Sequence, residues 1–296
     1  MRWEFLREEE FDDAIEKSGG LCVIPIGCLE KHGQHLPVGT DSLKAEAIVR
    51  LAAEKTNVVV FSPGLWVGDV ICAHGYKNPG ETHHRGYIAM NPNTLLTVLG
   101  ELCEEIARNG FRKILIVSSH GGNGAMLSYF LRANGYKGNR PYALLTHNLS
   151  LALCDPDKMV AMAEASPEEF SMLTEEDMKV LRHFAETGTG GGHADFRETG
   201  LIYGTYPELV APDRFDAEDG SNTERADYLH IGMGVNHNYW DANSPNAFNG
   251  FPSFGCSPTI GDAMVKICVD SLVDIFEKLK KDEECVRMAM GLPKGE

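Results

Sequence analysis

The chain has 296 residues, of which 43% are hydrophobic and 24% are charged. These are ordinary values for a folded globular protein, so the composition excludes a disordered or fibrous chain. With 43 acidic and 27 basic side chains, the net charge is -16 at pH 7, which repels nucleic acid and anionic lipid headgroups. We therefore expect neither nucleic acid nor a membrane as a partner. An anionic substrate would need local positive charge, and in so acidic a protein a bound metal ion is a natural source of it.

The first residues and the apolar runs of the sequence do not indicate secretion or a membrane. The first ten residues lack the apolar segment and cleavage site of a signal peptide, and every apolar run is far shorter than the roughly 20 residues that span a bilayer. The eight cysteines contain no C-x-x-C pair, so most are predicted to be reduced core thiols. We expect a cytoplasmic protein.

Short apolar runs alternate with longer helical segments, which is the pattern of an α/β sheet covered by helices on both faces. In chain order, the predicted elements are strand 21–26, helix 42–54, strand 57–61, helix 92–108, strand 113–118, helix 125–133, strand 142–146 and helix 259–281. Because no repeat or low-complexity linker interrupts this order, we predict one domain over residues 1–296.

Two segments, 74–90 and 220–255, look like inserted loops. Long loops in a compact fold are usually functional or disordered. The aromatic and histidine content of these two segments favours function.

The segment 30–41 follows the first predicted strand and is the most informative part of the sequence. Glu30 and His32 are two residues apart, so in an extended backbone both side chains leave the same face. Asp41 starts the next helix, where it has two possible roles, as an N-cap or as a bridge between two cations. Together these side chains offer the oxygen and nitrogen ligands that Zn, Mn and Fe prefer. Taken alone, the E-x-H spacing is weak evidence, and a solvated turn is the alternative.

A second cluster, 118–123, lies where the third predicted strand ends. Ligands bind at the carboxyl ends of strands in open α/β sheets, so His120 is a candidate third ligand. Gly121 and Gly122 let the backbone approach a ligand, and Asn123 is placed to cap the next helix. The alternative is a tight turn with a buried histidine. A phosphate-binding loop is disfavoured, because G-x-x-x-x-G-K-[ST] is absent.

A third cluster follows the glycine-dense run 188–192. His193, on a loop near a metal, suits proton transfer near neutral pH. Glu198 either opens a helix or completes a metal site. The alternative is a polar loop that ends in a helix-capping glutamate.

In this order the three clusters resemble the creatininase (creatinine amidohydrolase) family, whose pattern runs roughly P-x-G-x-x-E-x-H-G-x-H-L-P-x-x-T-D, then G-H-G-G-N, then H-A-G-x-x-E-T-S. This chain reads P-I-G-C-L-E-K-H-G-Q-H-L-P-V-G-T-D at 25–41, S-H-G-G-N at 119–123 and H-A-D-F-R-E-T-G at 193–200. With 206–210 and the G-F-P at 250–252, the similarity covers about residues 18 to 280.

The resemblance implies a three-layer α/β/α fold with a mostly parallel central sheet and two divalent ions per chain, of Zn, Mn or Fe. By position, it assigns metal ligation to Glu30, His32, Asp41, His120 and Glu198. Asp41 would be the bridge, and His193 the acid/base that protonates the leaving nitrogen after a bridging water attacks a carbonyl carbon. Substrate contacts are expected from His35, Gly121, Gly122, Asn123 and Glu81. The family also suggests a homo-oligomer, often a hexamer.

Departures from the pattern bear on the substrate. The creatinine-hydrolysing members carry an acidic ligand where this chain has Gly122, which argues against creatinine itself. Asp195 and Gly200 replace the Gly and Ser of the third motif, and the F-P-G-T segment appears only as N-P-G-E-T at 78–82. We therefore expect a divergent member.

Three functions stay in view for such a member. The leading expectation is a metal-dependent amidohydrolase that cleaves a C–N bond of a small amide or cyclic amide. The first alternative is ring-opening hydrolysis of a cyclic polyol ketone or a sugar-derived substrate. The second is a non-catalytic scaffold, which the presence of all the candidate ligands disfavours.

Overall fold

The computed structural model describes residues 1–62, 67–70, 85–149, 151–187, 192–229, 239–250 and 252–295. Within these ranges, the strands are β1 (Leu21–Ile26), β2 (Val59–Val60), β3 (Lys113–Ser118) and β4 (Ala143–Asn148). They form one parallel sheet in the order β2-β1-β3-β4.

Helices precede the first strand, connect the strands and follow the last one in the chain. They are α1 (Phe11–Lys17), α2 (Thr40–Thr56), α3 (Pro92–Arg108), α4 (Asn123–Tyr136), α5 (Pro156–Ala165), α6 (Glu175–Thr187), α7 (Phe196–Tyr203), α8 (Tyr239–Asn243), α9 (Pro258–Lys281) and α10 (Glu284–Ala289). Within the described ranges, none has both the length and the apolar character needed to cross a membrane.

Alternate side chains of the central strands enter apolar clusters on opposite faces of the sheet. Leu21 and Val23 pack in a cluster with α2 and α9, whereas Cys22 and Ile24 pack in another with α3 and α4. Strands buried on both faces are typical of parallel sheets covered by helices on either side. The arrangement confirms the predicted three-layer α/β/α fold.

The boundaries of the core elements follow the predictions, but one helix start differs in a way that matters. α2 begins at Thr40 with Gly39 as its N-cap, so the predicted N-cap role of Asp41 is wrong. The Asp41 carboxylate is therefore free of capping. α5 and α6, which the sequence analysis did not predict, pack against each other.

The first turn of α2 packs directly against Gly27, the residue after β1. A Cβ atom at position 27 would lie 2.3 Å from the backbone nitrogen of Ser42 and 2.4 Å from the carbonyl carbon of Asp41. Ser42 Oγ donates a hydrogen bond to the carbonyl oxygen of Cys28 at 3.1 Å, and Ser119 Oγ donates one to the carbonyl oxygen of Asp41. The start of α2 is thus held against the carboxyl ends of β1 and β3.

We predict that Gly27→Ala destabilises the protein by about 1–3 kcal/mol, because the added methyl group overlaps the backbone of α2. Gly100→Ala is the matched control. A Cβ atom at position 100 meets no atom within 4 Å, and Ala in a helix interior is favoured over Gly by roughly 0.5–1 kcal/mol. Urea unfolding of both variants measures the contrast. An unchanged midpoint for Gly27→Ala would show that this contact does not hold α2.

Candidate metal centre

The predicted ligands and the predicted acid/base meet at the carboxyl edge of the sheet. Glu30 follows β1, His120 follows β3, Asp41 lies in the first turn of α2 and Glu198 in the first turn of α7. His120 Nδ1 lies 3.0 Å from Glu30 Oε1 and 3.0 Å from Asp41 Oδ2. Residues far apart in the sequence are therefore neighbours in the fold.

The donor atoms form three overlapping groups, in each of which all the ligand atoms lie within 4.8 Å of one another. The groups are Cys28, Glu30, Asp41 and His120; Glu30, His32 and His193; and His32, Asp41 and Glu198. Asp41 belongs to the first and the third group, which is the position that a bridging carboxylate requires.

Each of the three histidines places one ring nitrogen against a backbone carbonyl oxygen. His32 does so through Nδ1 at 3.1 Å, His120 through Nε2 at 3.1 Å and His193 through Nε2 at 2.7 Å. Because a carbonyl only accepts hydrogen bonds, the other nitrogen of each ring is the one that offers its lone pair to a metal ion when the ring gives up its proton. In all three rings that second nitrogen faces carboxylates. Histidines that bind metals are oriented by such second hydrogen bonds.

Two buried atoms of this cluster have no hydrogen-bond partner in the part of the chain that the structure describes. They are Glu30 Oε1 and His32 Nε2. His32 Nε2 lies 3.5 Å from both Asp41 Oδ2 and Glu198 Oε2, close to the spacing of two ligands on a tetrahedral ion with bonds of about 2.0–2.2 Å. Leaving buried polar atoms unpaired is costly, and cations bound in this cluster would satisfy both atoms.

Lys44, which the sequence analysis missed, is completely buried beside the cluster. Its Nζ donates a hydrogen bond to Asp41 Oδ1 at 2.8 Å and another to Glu198 Oε1. The ammonium thus holds the outer oxygens of both carboxylates, while their other oxygens face His32. The available signal was the spacing of Asp41 and Lys44, since residues three apart on a helix are neighbours.

The charges of the cluster keep its carboxylates ionised. Burial alone would raise the pKa of Asp41 and of Glu198, but Lys44 and His32 outweigh it. The pKa of Asp41 is held well below its usual range, and that of Glu198 is lowered to about 2. In turn, Asp41 and Glu198 raise the pKa of His32 to about 9 against the opposing effect of burial. Both carboxylates are therefore in the charged form that binds metal ions.

A cavity of about 660 Å³ opens onto the cluster. Its walls include Gly121 and Gly122 together with Asn148, Asn249 and Trp240. This size is typical of sites for small molecules. Position 122 has no room for a side chain, because a Cβ atom there would lie 2.5 Å from His120 Nε2. The acidic ligand of the creatinine-hydrolysing members has no counterpart at this position.

Asn123 is buried and is not among the residues that line the cavity. Its Nδ2 donates to the carbonyl oxygen of Gly27 and to Ser118 Oγ, and its Oδ1 accepts from the backbone nitrogen of Asp69. The predicted helix cap is wrong, since Asn123 is the first residue of α4 and its N-cap is Gly122. The structure also gives no support to the predicted substrate contact: Asn123 ties the strand ends together.

His35 is also buried behind the cavity wall, although it was predicted to contact substrate. Its Nε2 lies 3.1 Å from Thr199 Oγ1 and 3.3 Å from Ser253 Oγ, and its ring packs against Phe215 and Phe248. Burial lowers the pKa of His35 to about 4. The His35 ring lies beside α7 and is not among the residues that line the cavity, so its placement gives no support to the predicted substrate contact.

Some of the predicted features lie wholly or partly outside the residues that the structure describes. Glu81 lies outside the described residues, as does Cys72. The same holds for most of the predicted loop 74–90 and for residues 230–238 and 251 of the loop 220–255.

We predict that His35 makes the stability fall in mild acid. Folded His35 stays neutral to about pH 4, whereas the unfolded chain takes up the proton below the ordinary pKa of 6.5. Because the unfolded state then binds more protons, stability decreases as the pH falls from about 6.5 to about 4, by roughly 2 kcal/mol between pH 7 and pH 5. In His35→Gln, the free energy of unfolding measured with urea should no longer fall by this amount between pH 7 and pH 5. An identical pH dependence in the variant would contradict a buried neutral ring.

Comparisons with known proteins give the family and the fold. The model of the creatininase family, described as creatinine amidohydrolase, matches residues 4–276. The creatinine amidohydrolase of Pseudomonas putida is 24% identical over 214 residues, which cover 70% of this chain and 72% of that protein. A 3-dehydro-scyllo-inosose hydrolase of Thermotoga maritima is 28% identical over 105 residues, 36% of this chain and 31% of that protein.

Solved structures of creatininases have a similar fold. The structure called "Creatininase Mn" has a TM-score of 0.65 and 19% identity, and the comparison covers 95% of this chain and 99% of that one. A mutant called "Zn-Zn type" has a TM-score of 0.66 and 19% identity, over 95% of this chain and 98% of that one. Since the family match covers nearly the whole sequence and the fold agrees with it, the chain belongs to the creatininase family.

Proposed function

We propose that this protein is a metal-dependent hydrolase of a small molecule. The observation that carries the proposal is the buried cluster, in which three histidines with one fixed nitrogen each turn the other toward three carboxylates. Imidazole and carboxylate donors suit Zn, Mn and Fe. Bound metal ions would also pair the buried atoms Glu30 Oε1 and His32 Nε2, which have no hydrogen-bond partner among the described residues.

We assign the donors to two sites that share Asp41. Glu30, Asp41 and His120 would hold one ion, and His32, Asp41 and Glu198 the other. Asp41 Oδ2 lies 3.0 Å from His120 Nδ1 and 3.5 Å from His32 Nε2, so one oxygen faces both sites. Divalent ions bound there would lower the pKa of a water molecule and polarise the bond to be cleaved. The "Zn-Zn type" in the name of a creatininase of the same fold supports two ions.

His193 is assigned as the acid/base through Nδ1. This atom lies 3.5 Å from Glu30 Oε1 and 4.0 Å from Glu198 Oε2, at the wall of the cavity. Because Nε2 is held by the carbonyl oxygen of Lys31 at 2.7 Å, Nδ1 is the nitrogen that takes the proton from the attacking water. The same nitrogen then delivers it to the leaving group.

The backbone of His193 is clamped in place. Its nitrogen donates to the carbonyl oxygen of Asn249 at 2.6 Å, and its oxygen accepts from the nitrogen of Asn249 at 2.9 Å. The imidazole ring lies 4.1 Å from that of His32 and 5.1 Å from the ring of Trp240, measured between centroids. A general base held at fixed distance from the reacting atoms loses little entropy in the reaction.

The substrate class that we propose is a small amide, most simply a cyclic one, cleaved at a C–N bond. The name of the Pseudomonas relative, which matches the greater part of both chains, supports this class. Hydrolysis of a cyclic polyol ketone is the second candidate. Asn148 and Asn249 on the cavity wall favour it, since amides bind hydroxyl groups, as does the name of the Thermotoga relative.

We also propose that residues 1–296 form one domain. The family match runs from residue 4 into α9, which packs in one apolar cluster with β1. The homo-oligomer and the cytoplasmic location stay predictions.

Metal analysis followed by a substrate screen tests the function. Protein loaded with Zn or Mn and dialysed should retain close to two ions per chain. It should hydrolyse a member of a panel of lactams, small amides and formamides, lose that activity to a chelator and regain it with metal. A chain that retains no metal would contradict the hydrolase and favour the scaffold. Turnover confined to cyclic polyol ketones would select the second candidate.

Asp41→Ala is predicted to lose the most metal of any single ligand variant, because its carboxylate serves both ions. Asp69→Asn is the matched control. Asp69 also lines the cavity, but it belongs to none of the three donor groups of the described residues. Metal stoichiometry after dialysis should drop in Asp41→Ala and stay at the wild-type value in the control. Two retained ions in Asp41→Ala would remove the bridge assignment.

His193→Ala is predicted to keep its metal and lose turnover, by roughly 10²–10⁴ in kcat. His147→Ala is the control, because His147 lies in β4 outside the three donor groups. Metal content and kcat are measured on the same preparation. Loss of metal with activity would make His193 a ligand, and unchanged turnover would exclude it from the reaction.

A further inference from the structure

We propose that Cys28 is a fourth donor of the Glu30–Asp41–His120 site, which then binds its ion through a thiolate. The inference rests on the proposed metal-dependent function and adds a ligand to it. The family pattern leaves position 28 unspecified, so the resemblance assigns no role to this residue.

The position of Cys28 points to the site. It lies two residues after β1 and is completely buried. Its Sγ donates a hydrogen bond to Asp41 Oδ2 at 3.0 Å. The sulfur, the Glu30 and Asp41 oxygens and the His120 nitrogen all lie within 4.8 Å of one another. The four donors come from three parts of the chain and converge on one point.

Cys28 differs from the other described cysteines in its surroundings. The other six all pack within apolar clusters. They are Cys22, Cys103, Cys154, Cys256, Cys268 and Cys285. Cys28 belongs to none of these clusters, and its sulfur lies against a carboxylate. Among the described cysteines, Cys28 is the one whose sulfur lies with a group of possible metal donors, which is not the environment of a thiol inside an apolar cluster.

A second observation points independently to a ligand here. Glu30 is more than nine-tenths buried, and its Oε1 has no hydrogen-bond partner among the described residues although it faces the same point. His120 Nε2 is held by the carbonyl oxygen of Asp69, which turns Nδ1 toward Glu30 and Asp41. With Cys28, one sulfur, one nitrogen and two oxygens complete the four donors that a tetrahedral ion takes.

The chemistry of binding is a simple exchange. The S–H bond of Cys28 breaks, the proton passes to solvent, and a sulfur–metal bond forms without oxidation or reduction. Thiolate is a soft ligand and favours Zn over Mn. The His32–Asp41–Glu198 site offers only oxygen and nitrogen. The two sites therefore differ in metal preference, and the site with Cys28 is the one that favours Zn over Mn.

X-ray absorption of the Zn-loaded protein tests the ligand directly. A sulfur scatterer at about 2.3 Å is expected beside the nitrogen and oxygen shell at about 2.0–2.2 Å. Replacing Zn by Co²⁺ should give a thiolate-to-metal charge-transfer band in the near ultraviolet. Both measurements use the wild-type protein and do not depend on the folding of a variant or on activity.

Cys28→Ser identifies which thiol is responsible, because serine keeps the size and the hydrogen bond but not the thiolate. The sulfur scatterer and the Co²⁺ band should vanish, and Zn affinity in a chelator competition should fall at least about 10-fold, with a smaller change for Mn. Cys103→Ala, at an equally buried cysteine in an apolar cluster, should change none of these.

The outcomes separate the two proposals. Bound Zn without a sulfur scatterer would overturn the role of Cys28 and leave the metal-dependent hydrolase standing. A sulfur signal that persists in Cys28→Ser would assign it to another thiol and overturn the proposal as well. A protein that binds no Zn at all would overturn both.

Discussion

Three carboxylates buried within a few ångströms of one another are the constraint on which the rest of this site depends. Glu30, Asp41 and Glu198 are each less than a tenth exposed, and buried charges of one sign are tolerated only where opposite charge and hydrogen bonds compensate them. Lys44 supplies one positive charge from within the fold. The histidines supply nitrogen atoms that accept either a proton or a metal ion, so the cluster is built to take up cations.

The fold answers this constraint by bringing element ends together. Gly27 lets α2 start against the end of β1, so Asp41 enters the cluster from a helix while Glu30 enters from the segment that follows the strand. Asp195 caps α7 and thereby sets the direction of Glu198, because its carboxylate accepts the backbone N–H groups of Arg197 and Glu198. The candidate donors thus lie at helix starts and just after strand ends, where distant parts of the chain meet.

The clearest departure from the family pattern is Gly122, which stands where the creatinine-hydrolysing members carry an acidic ligand. A side chain at position 122 would collide with His120. Asn148, Asn249 and Trp240 line the cavity. The site thus keeps the candidate donors Glu30, His32, Asp41, His120 and Glu198 and has no side chain at position 122. This is the physical sense in which the chain is a divergent member of the creatininase family.

The sequence by itself determined the fold class and most of the cluster. Alternating apolar runs identified β1, β3 and the helices around them, because burial on both faces leaves a signal within a few consecutive residues. Glu30, His32 and His120 were found because strand ends point to ligand sites. Only the tertiary structure decided which neighbouring polar residues join them. Lys44 and Cys28 face the carboxylates, whereas His35 and Asn123 face away, because those directions are set by the packing of segments distant in the sequence, which local periodicity does not encode.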